Sequence, residues 1–214
     1  MFIGPMLFDA VLSALVTLIV TVDPPGLAPI FLSLTTGMSD SERRKVAVRA
    51  VLIAFMIMTA TALGGAPLIN MLGISLPAFR IAGGLLLFTI GYQMIFAGGQ
   101  ESKAETAEKA VTEDHIRNIA AFPLGIPLMA GPGAITAILL LAGRAQGEPL
   151  KVALLIGVIA TVVLACLISF LLASKIARLL GVTGNIVLTR LLGVILSAMA
   201  VQFVIDGVKA VMAG

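Results

Sequence analysis

Apolar segments about as long as a bilayer core is thick recur along the 214 residues of this chain, and nothing constrains its fold more. A hydrocarbon core of roughly 30 Å takes about 20 helical residues to cross. Six such segments can be drawn, near residues 6–34, 46–69, 74–97, 117–142, 150–174 and 186–210. Inside lipid every backbone N–H and C=O needs a partner within the protein, and runs of this length satisfy that as helices. Charged residues make up only 12% of the chain, against about 25% in soluble domains. The expectation is an all-α membrane protein with six transmembrane helices.

The first segment departs from the pattern. Its about 29 residues would make roughly 43 Å of continuous helix, more than a bilayer core needs. Tilt absorbs part of that excess; a break at Asp23-Pro24-Pro25-Gly26 absorbs it more naturally. Proline has no amide N–H, so Pro24, Pro25 and Pro29 leave the carbonyls of Val20, Thr21 and Pro25 without helical donors. Such backbone survives in a membrane only when it is buried in protein or lines a wet cavity. A helix restarting here presents the amides of Gly26, Leu27 and Ala28, with a positive dipole end behind them.

The fourth segment repeats the arrangement at Ala130-Gly131-Pro132-Gly133-Ala134. Pro132 frees the carbonyl of Leu128, and the restarted helix presents the amides of Gly133, Ala134 and Ile135. Other matches follow in the same order. FRIAGGLLLFTIGYQ in the third segment aligns with TRLLGVILSAMAVQ in the sixth, pairing Arg80 with Arg190, Gly83 with Gly193 and, with one gap, Gln93 with Gln202. The chain therefore reads as a first three-helix repeat (1–97), a polar linker (98–116) and a second repeat (117–214). An odd number of spans per repeat turns the second upside down. Inverted repeats with Pro/Gly-interrupted helices at matching places point to a secondary transporter, with its site at the interruptions.

That site would be made of Asp23, Pro24, Pro25, Gly26 and Leu27 from one break and residues 130–134 from the other. Two helix N-termini converging near the midplane favour an anion, and glycine lets a ligand approach the amides without a Cβ in the way. Asp23 is an acid inside a span, which is a functional-site candidate because its charge is expensive there. Its counterpart is Ala130, so the two breaks carry one carboxylate between them. One acid and two amide clusters suit a small zwitterion. Asp23 also has the chemistry of a plain N-cap, and the two roles are compatible. Asp23 and Thr21 are the candidates to hold a coupling ion, and a raised pKa would let Asp23 carry a proton. Arg80 and Arg190 either snorkel to headgroups or bond the freed carbonyls; Gln93 and Gln202 can bridge helices in the same way.

Other bounds are quick. The basic residues are scattered, so no nucleic-acid partner is expected. The single Cys166 forms no intramolecular disulfide. The start of the chain lacks a basic n-region and reads as a retained span. The linker suits an amphipathic surface helix or a flexible tether, and its His115 reads as solvated. Nine Lys and Arg residues fall on one side, from Arg43 to Arg178, and three on the other, at Arg144, Lys151 and Lys209. The positive-inside rule then puts both termini outside.

The pattern Asp-Pro-x-Gly-x-x-Pro-x-Phe in the first segment, PAFRIAGGLLLF in the third and PLMAGPGAI in the fourth resembles the MarC family of bacterial and archaeal inner-membrane proteins. Members called SnatA transport small neutral amino acids such as glycine and alanine, driven by an electrochemical gradient, and the family belongs with the LysE-like exporters. The resemblance implies a carrier of that type in a prokaryotic inner membrane, working with a proton or sodium gradient and without cofactor or metal. It carries over Asp23, Pro24, Gly26, Pro29, Pro132 and Gly133 as motif positions. Many relatives have Asn after the first motif glycine, where this chain has Leu27. Partners would be the amino acid, the coupling ion and lipid, with a homo-oligomer compatible.

Three other readings stand beside this one. An enzyme needs a nucleophile with a base, paired carboxylates or metal ligands, and Asp23 and Asp206 do not have motif spacing, so no enzyme is expected. A channel also uses broken helices. An exporter of another small solute is the nearest alternative.

Overall fold

The computed structural model describes residues 3–35, 37–96, 119–145 and 148–213. Among them are eight helices and no strand: α1 (Ile3–Val22), α2 (Pro24–Leu34), α3 (Asp40–Met71), α4 (Leu76–Phe96), α5 (Ala120–Met129), α6 (Pro132–Ala145), α7 (Pro149–Leu171) and α8 (Ala173–Ala213). Five stretches among the described residues are long and apolar enough to cross a membrane: Leu7–Leu34, Asp40–Gly65, Leu76–Phe96, Pro149–Leu171 and Thr183–Met212. The linker at 98–116 and His115 lie outside the described residues.

The fourth span is interrupted where its Pro-Gly pair predicts a break: it is two short helices, α5 and α6, separated by Ala130 and Gly131. α5 is wound as a π-helix, closed by i→i−5 bonds such as Ala130 N–H to the Gly125 carbonyl at 3.0 Å. Pro123 and Pro127 fall inside it. Neither can donate an amide hydrogen to an α-helical ladder, and π-turns inside helices cluster at functional sites. Lys175 and Arg178, expected in a loop, are helical: α8 begins at Ala173 and kinks at Gly181, where φ is 59°.

Local sequence sets the other boundaries. Ser39 and Glu42 form a reciprocal capping box ahead of α3: the Ser39 amide and hydroxyl donate to Glu42 Oε2 at 2.9 and 2.7 Å, and the Glu42 amide returns to Ser39 Oγ at 3.4 Å. α2 ends at Thr35, whose carbonyl accepts from Arg43 Nε at 3.3 Å.

α4 and α8 run antiparallel in close contact. An added Cβ at Gly84 would lie 2.8 Å from the Ala200 carbonyl oxygen, and one at Gly91 would lie 2.9 Å from that of Gly193. Small residues at such a seam let backbones approach without relying on apolar exclusion from water, which lipid does not supply. α8 also packs on α2, and α7 packs against α1, α2 and α3. Buried in this assembly are Leu18, Leu27, Leu124, Met129, Ile138 and Leu196.

Candidate functional site

The break between α1 and α2 is a single residue. Asp23 has φ 57° and ψ 65°, a left-handed conformation that L-residues other than Gly, Asn and Asp rarely adopt. Its amide still bonds the Ile19 carbonyl at 2.9 Å, and its carbonyl accepts from the Leu27 amide at 3.1 Å. The ladder is thus re-aimed and the chain is not unwound. Asp23 Oδ1 accepts from the Gly26 amide at 3.1 Å, capping α2. The side chain is fully buried. Gly26 is required by this cap, since a Cβ there would lie 2.1 Å from Asp23 Oδ2. The space reserved at Gly26 is therefore filled by the cap itself.

The second break meets the first. A Cβ on Gly133 would lie 2.7 Å from Ile90 Cδ1 and 3.2 Å from Thr21 Cγ2. The start of α6 thus sits against Thr21, two residues before Asp23. Thr21 gives its own hydroxyl to the Thr17 carbonyl at 2.6 Å. Pro24, Gly26, Leu27, Ala130, Gly131, Gly133 and Ala134 are buried, Pro25 is half-buried and Pro132 is exposed. The residue ahead of α6 is Gly131, which has no side chain with which to cap it. The two breaks therefore differ: Asp23 caps one with its own side chain, and the residue ahead of the other has no side chain at all.

The matched polar pairs do not share one environment. Arg80 is half-buried, with Nε unpartnered, whereas Arg190 is exposed. Gln93 is exposed. Gln202 Nε2 donates to Asp206 Oδ1 at 2.7 Å.

Sequence reasoning missed a polar cluster at the far end of α6. Arg144 pairs with Asp206 of α8, and its guanidinium carbon stands 4.4 Å from the Phe203 ring centroid. At the opposite end Phe31 and Phe170 stack, with centroids 4.7 Å apart and planes 16° from parallel. Outside that stack lies a cavity of about 330 Å³ lined by Phe31, Leu32, Arg43, Arg44, Phe170 and Ser174 among others. A larger, mostly apolar groove of about 600 Å³ between α1, α6 and α7 lies away from both breaks. The missed pairs join residues far apart in sequence, and only the opposite charges of Arg144 and Asp206 at span ends hinted at one of them.

A family profile described as MarC family integral membrane protein matches residues 8–212. Relatives along most of the chain are UPF0056 membrane proteins. One from Archaeoglobus fulgidus is 37% identical, covering 89% of this chain and 88% of its own. One from Aquifex aeolicus is 36% identical, covering 92% and 91%, and YhcE of Escherichia coli is 33% identical, covering 90% and 89%. No solved structure matches the chain. With a match over nearly its whole length and relatives in both bacteria and archaea, the chain belongs to the MarC family of integral, multi-pass membrane proteins.

Proposed function

We propose that this protein is a secondary carrier of small neutral amino acids, of the glycine and alanine type, driven by a proton or sodium gradient. On this reading it is a carrier and not an enzyme. It sits in a prokaryotic inner membrane with both termini outside, and residues 1–97 and 117–214 form inverted repeats joined by 98–116. The observation that carries the reading is the meeting of the two helix breaks. A fully buried carboxylate, Asp23, stands at one, and Gly133 at the other touches Thr21 beside it. Buried ionisable groups inside membrane segments mark pathways for substrates and ions.

The contacts of α4 and α8 support the repeat. If position 83 corresponds to 193, the approach of Gly91 to Gly193 has its image one residue from the approach of Gly84 to Ala200. A two-fold axis between the helices produces that relation. Contacts between helices towards each end support alternating access. Arg144–Asp206 ties α6 to α8 at the outer end, and the Phe31–Phe170 stack covers the inner one. Substrate reaching the α6 amides has to displace Ile90 from Gly133, which leaves room for a small side chain only.

The test is uptake of labelled glycine and alanine into liposomes holding the purified protein, under a proton gradient and then a sodium gradient. Saturable uptake driven by one gradient, and abolished by Gly133→Leu, is the expected result. Absence of both uptake and counterflow for every small neutral amino acid, from folded protein, overturns the reading.

A further inference from the structure

The threonines of this protein show where a hydroxyl is held in reserve. Thr17, Thr21, Thr35, Thr61, Thr89 and Thr161 each donate to the carbonyl four residues earlier, at 2.6 to 3.0 Å. This is the usual resting place of a helical threonine. Thr59 of α3 and Thr189 of α8 do not use it. The Thr189 hydroxyl has no partner, although the residue is only 2% exposed. One turn earlier Asn185 is 4% exposed, and both its amide nitrogen and its carbonyl oxygen are unpartnered. Residues four apart share a helix face, so two buried and unsatisfied polar side chains lie side by side. A buried polar group without a partner costs about 1–3 kcal/mol, and a membrane span has no water with which to offset it.

Their depth follows from two contacts. Thr17 Oγ1 meets Met199 Sδ at 3.7 Å, and Phe31 stacks on Phe170, just ahead of α8. The α1–α2 segment and α8 are therefore antiparallel. Ten residues from Met199 to Thr189 descend about 15 Å and six from Thr17 to Asp23 about 9 Å. Thr189 thus lies roughly 6 Å beyond Asp23, and Asn185 about one turn further, level with Phe31. The pair runs from just beyond the broken helices to the level of the aromatic stack, on a helix that packs against both α4 and α2.

We propose that Asn185 and Thr189 form a second substrate contact on the inward half of the pathway, one that takes a small zwitterion; this rests on the carrier reading above. The chemistry matches. Asn185 offers a carbonyl oxygen to an ammonium group and two N–H donors to a carboxylate, and Thr189 can serve either. The pair is uncharged, so it suits a solute with no net charge. A substrate leaving Asp23 and the α6 amides is passed to groups that no other protein group occupies.

The experiment compares wild type with Thr189→Val and Asn185→Leu, near-isosteric changes that remove the polar atoms. Glycine and alanine counterflow and thermal stability, with and without 10 mM-range amino acid, are the readouts. The half-saturation concentration for counterflow is expected to rise at least ten-fold. The substrate-free melting temperature is expected to hold or increase, because an unsatisfied polar group has gone, while the upward shift on adding amino acid shrinks. A purely structural role gives the opposite pattern, with a lower substrate-free melting temperature and unchanged half-saturation, and overturns the proposal. If Asn185→Leu does not fold, Thr189→Val decides alone. Wild type inactive toward every amino acid overturns the carrier reading and this site with it; active wild type with unaffected variants overturns the site only.

Discussion

At Asp23 the demands of the backbone and the demand for charge can be separated by substitution. Asn tolerates left-handed φ and caps helices about as well as Asp. Asp23→Asn is expected to keep the melting temperature within about 2 °C, a shift worth about 0.5–1 kcal/mol, and to lose gradient-driven accumulation while retaining exchange. Asp23→Ala loses the cap, about 1 kcal/mol, and adds the penalty of a Cβ in left-handed backbone, about 1–2 kcal/mol. It is expected to melt lower in a detergent thermal scan. Ile90 allows a different prediction. Its Cδ1 stands where a Gly133 side chain would be, so Ile90→Ala should widen the site. The expected outcome is a several-fold rise in valine or leucine uptake relative to glycine. The capping residues were readable in sequence, because proline and glycine punctuate a helix wherever they fall. Asn185 and Thr189 were not, since one polar side chain in an apolar helix reads alike with or without a partner.

The helices divide into a locked pair and two interrupted segments. Across the α4–α8 seam backbone oxygens approach within 3 Å of the positions where Gly84 and Gly91 lack a Cβ. Gly91→Leu should therefore destabilise the protein by about 2 kcal/mol through overpacking, seen as a lower melting temperature with loss of uptake. In α5 the question is backbone geometry. Restoring donors by changing Pro123 and Pro127 to Ala is expected to let an ordinary α-helix form, shifting the register of Gly131 and Gly133. Folding should survive and transport should not, which circular dichroism and uptake measure together. The break at Pro132 could be read from residues alone. The π winding could not, because the choice between i−4 and i−5 partners depends on what packs around the widened turn.

Across the whole molecule, Arg144 pairs with Asp206 towards one end of the described helices and Phe31 stacks on Phe170 towards the other. Arg144 and Asp206 are 62 residues apart in sequence, so their pairing has no local signal, and the same holds for Phe31 with Phe170. A double-mutant cycle of Arg144→Ala and Asp206→Ala should reveal a coupling of about 1 kcal/mol in stability, and on the carrier reading each single variant is expected to speed exchange by loosening that end. The order of apolar segments was legible because every span must bury or expose its surface to the same apolar solvent. Their lateral arrangement was not, because that depends on side-chain fit between helices. The α4–α8 seam has a consequence for the surrounding lipid. A pair of helices joined through glycine cannot slide to match a thicker or thinner bilayer, so any mismatch in hydrophobic length falls on the segments that are already jointed, at Asp23 and at Ala130–Gly131. Acyl-chain length then acts directly on the geometry of the two breaks, and on the carrier reading turnover in liposomes is expected to peak at one membrane thickness.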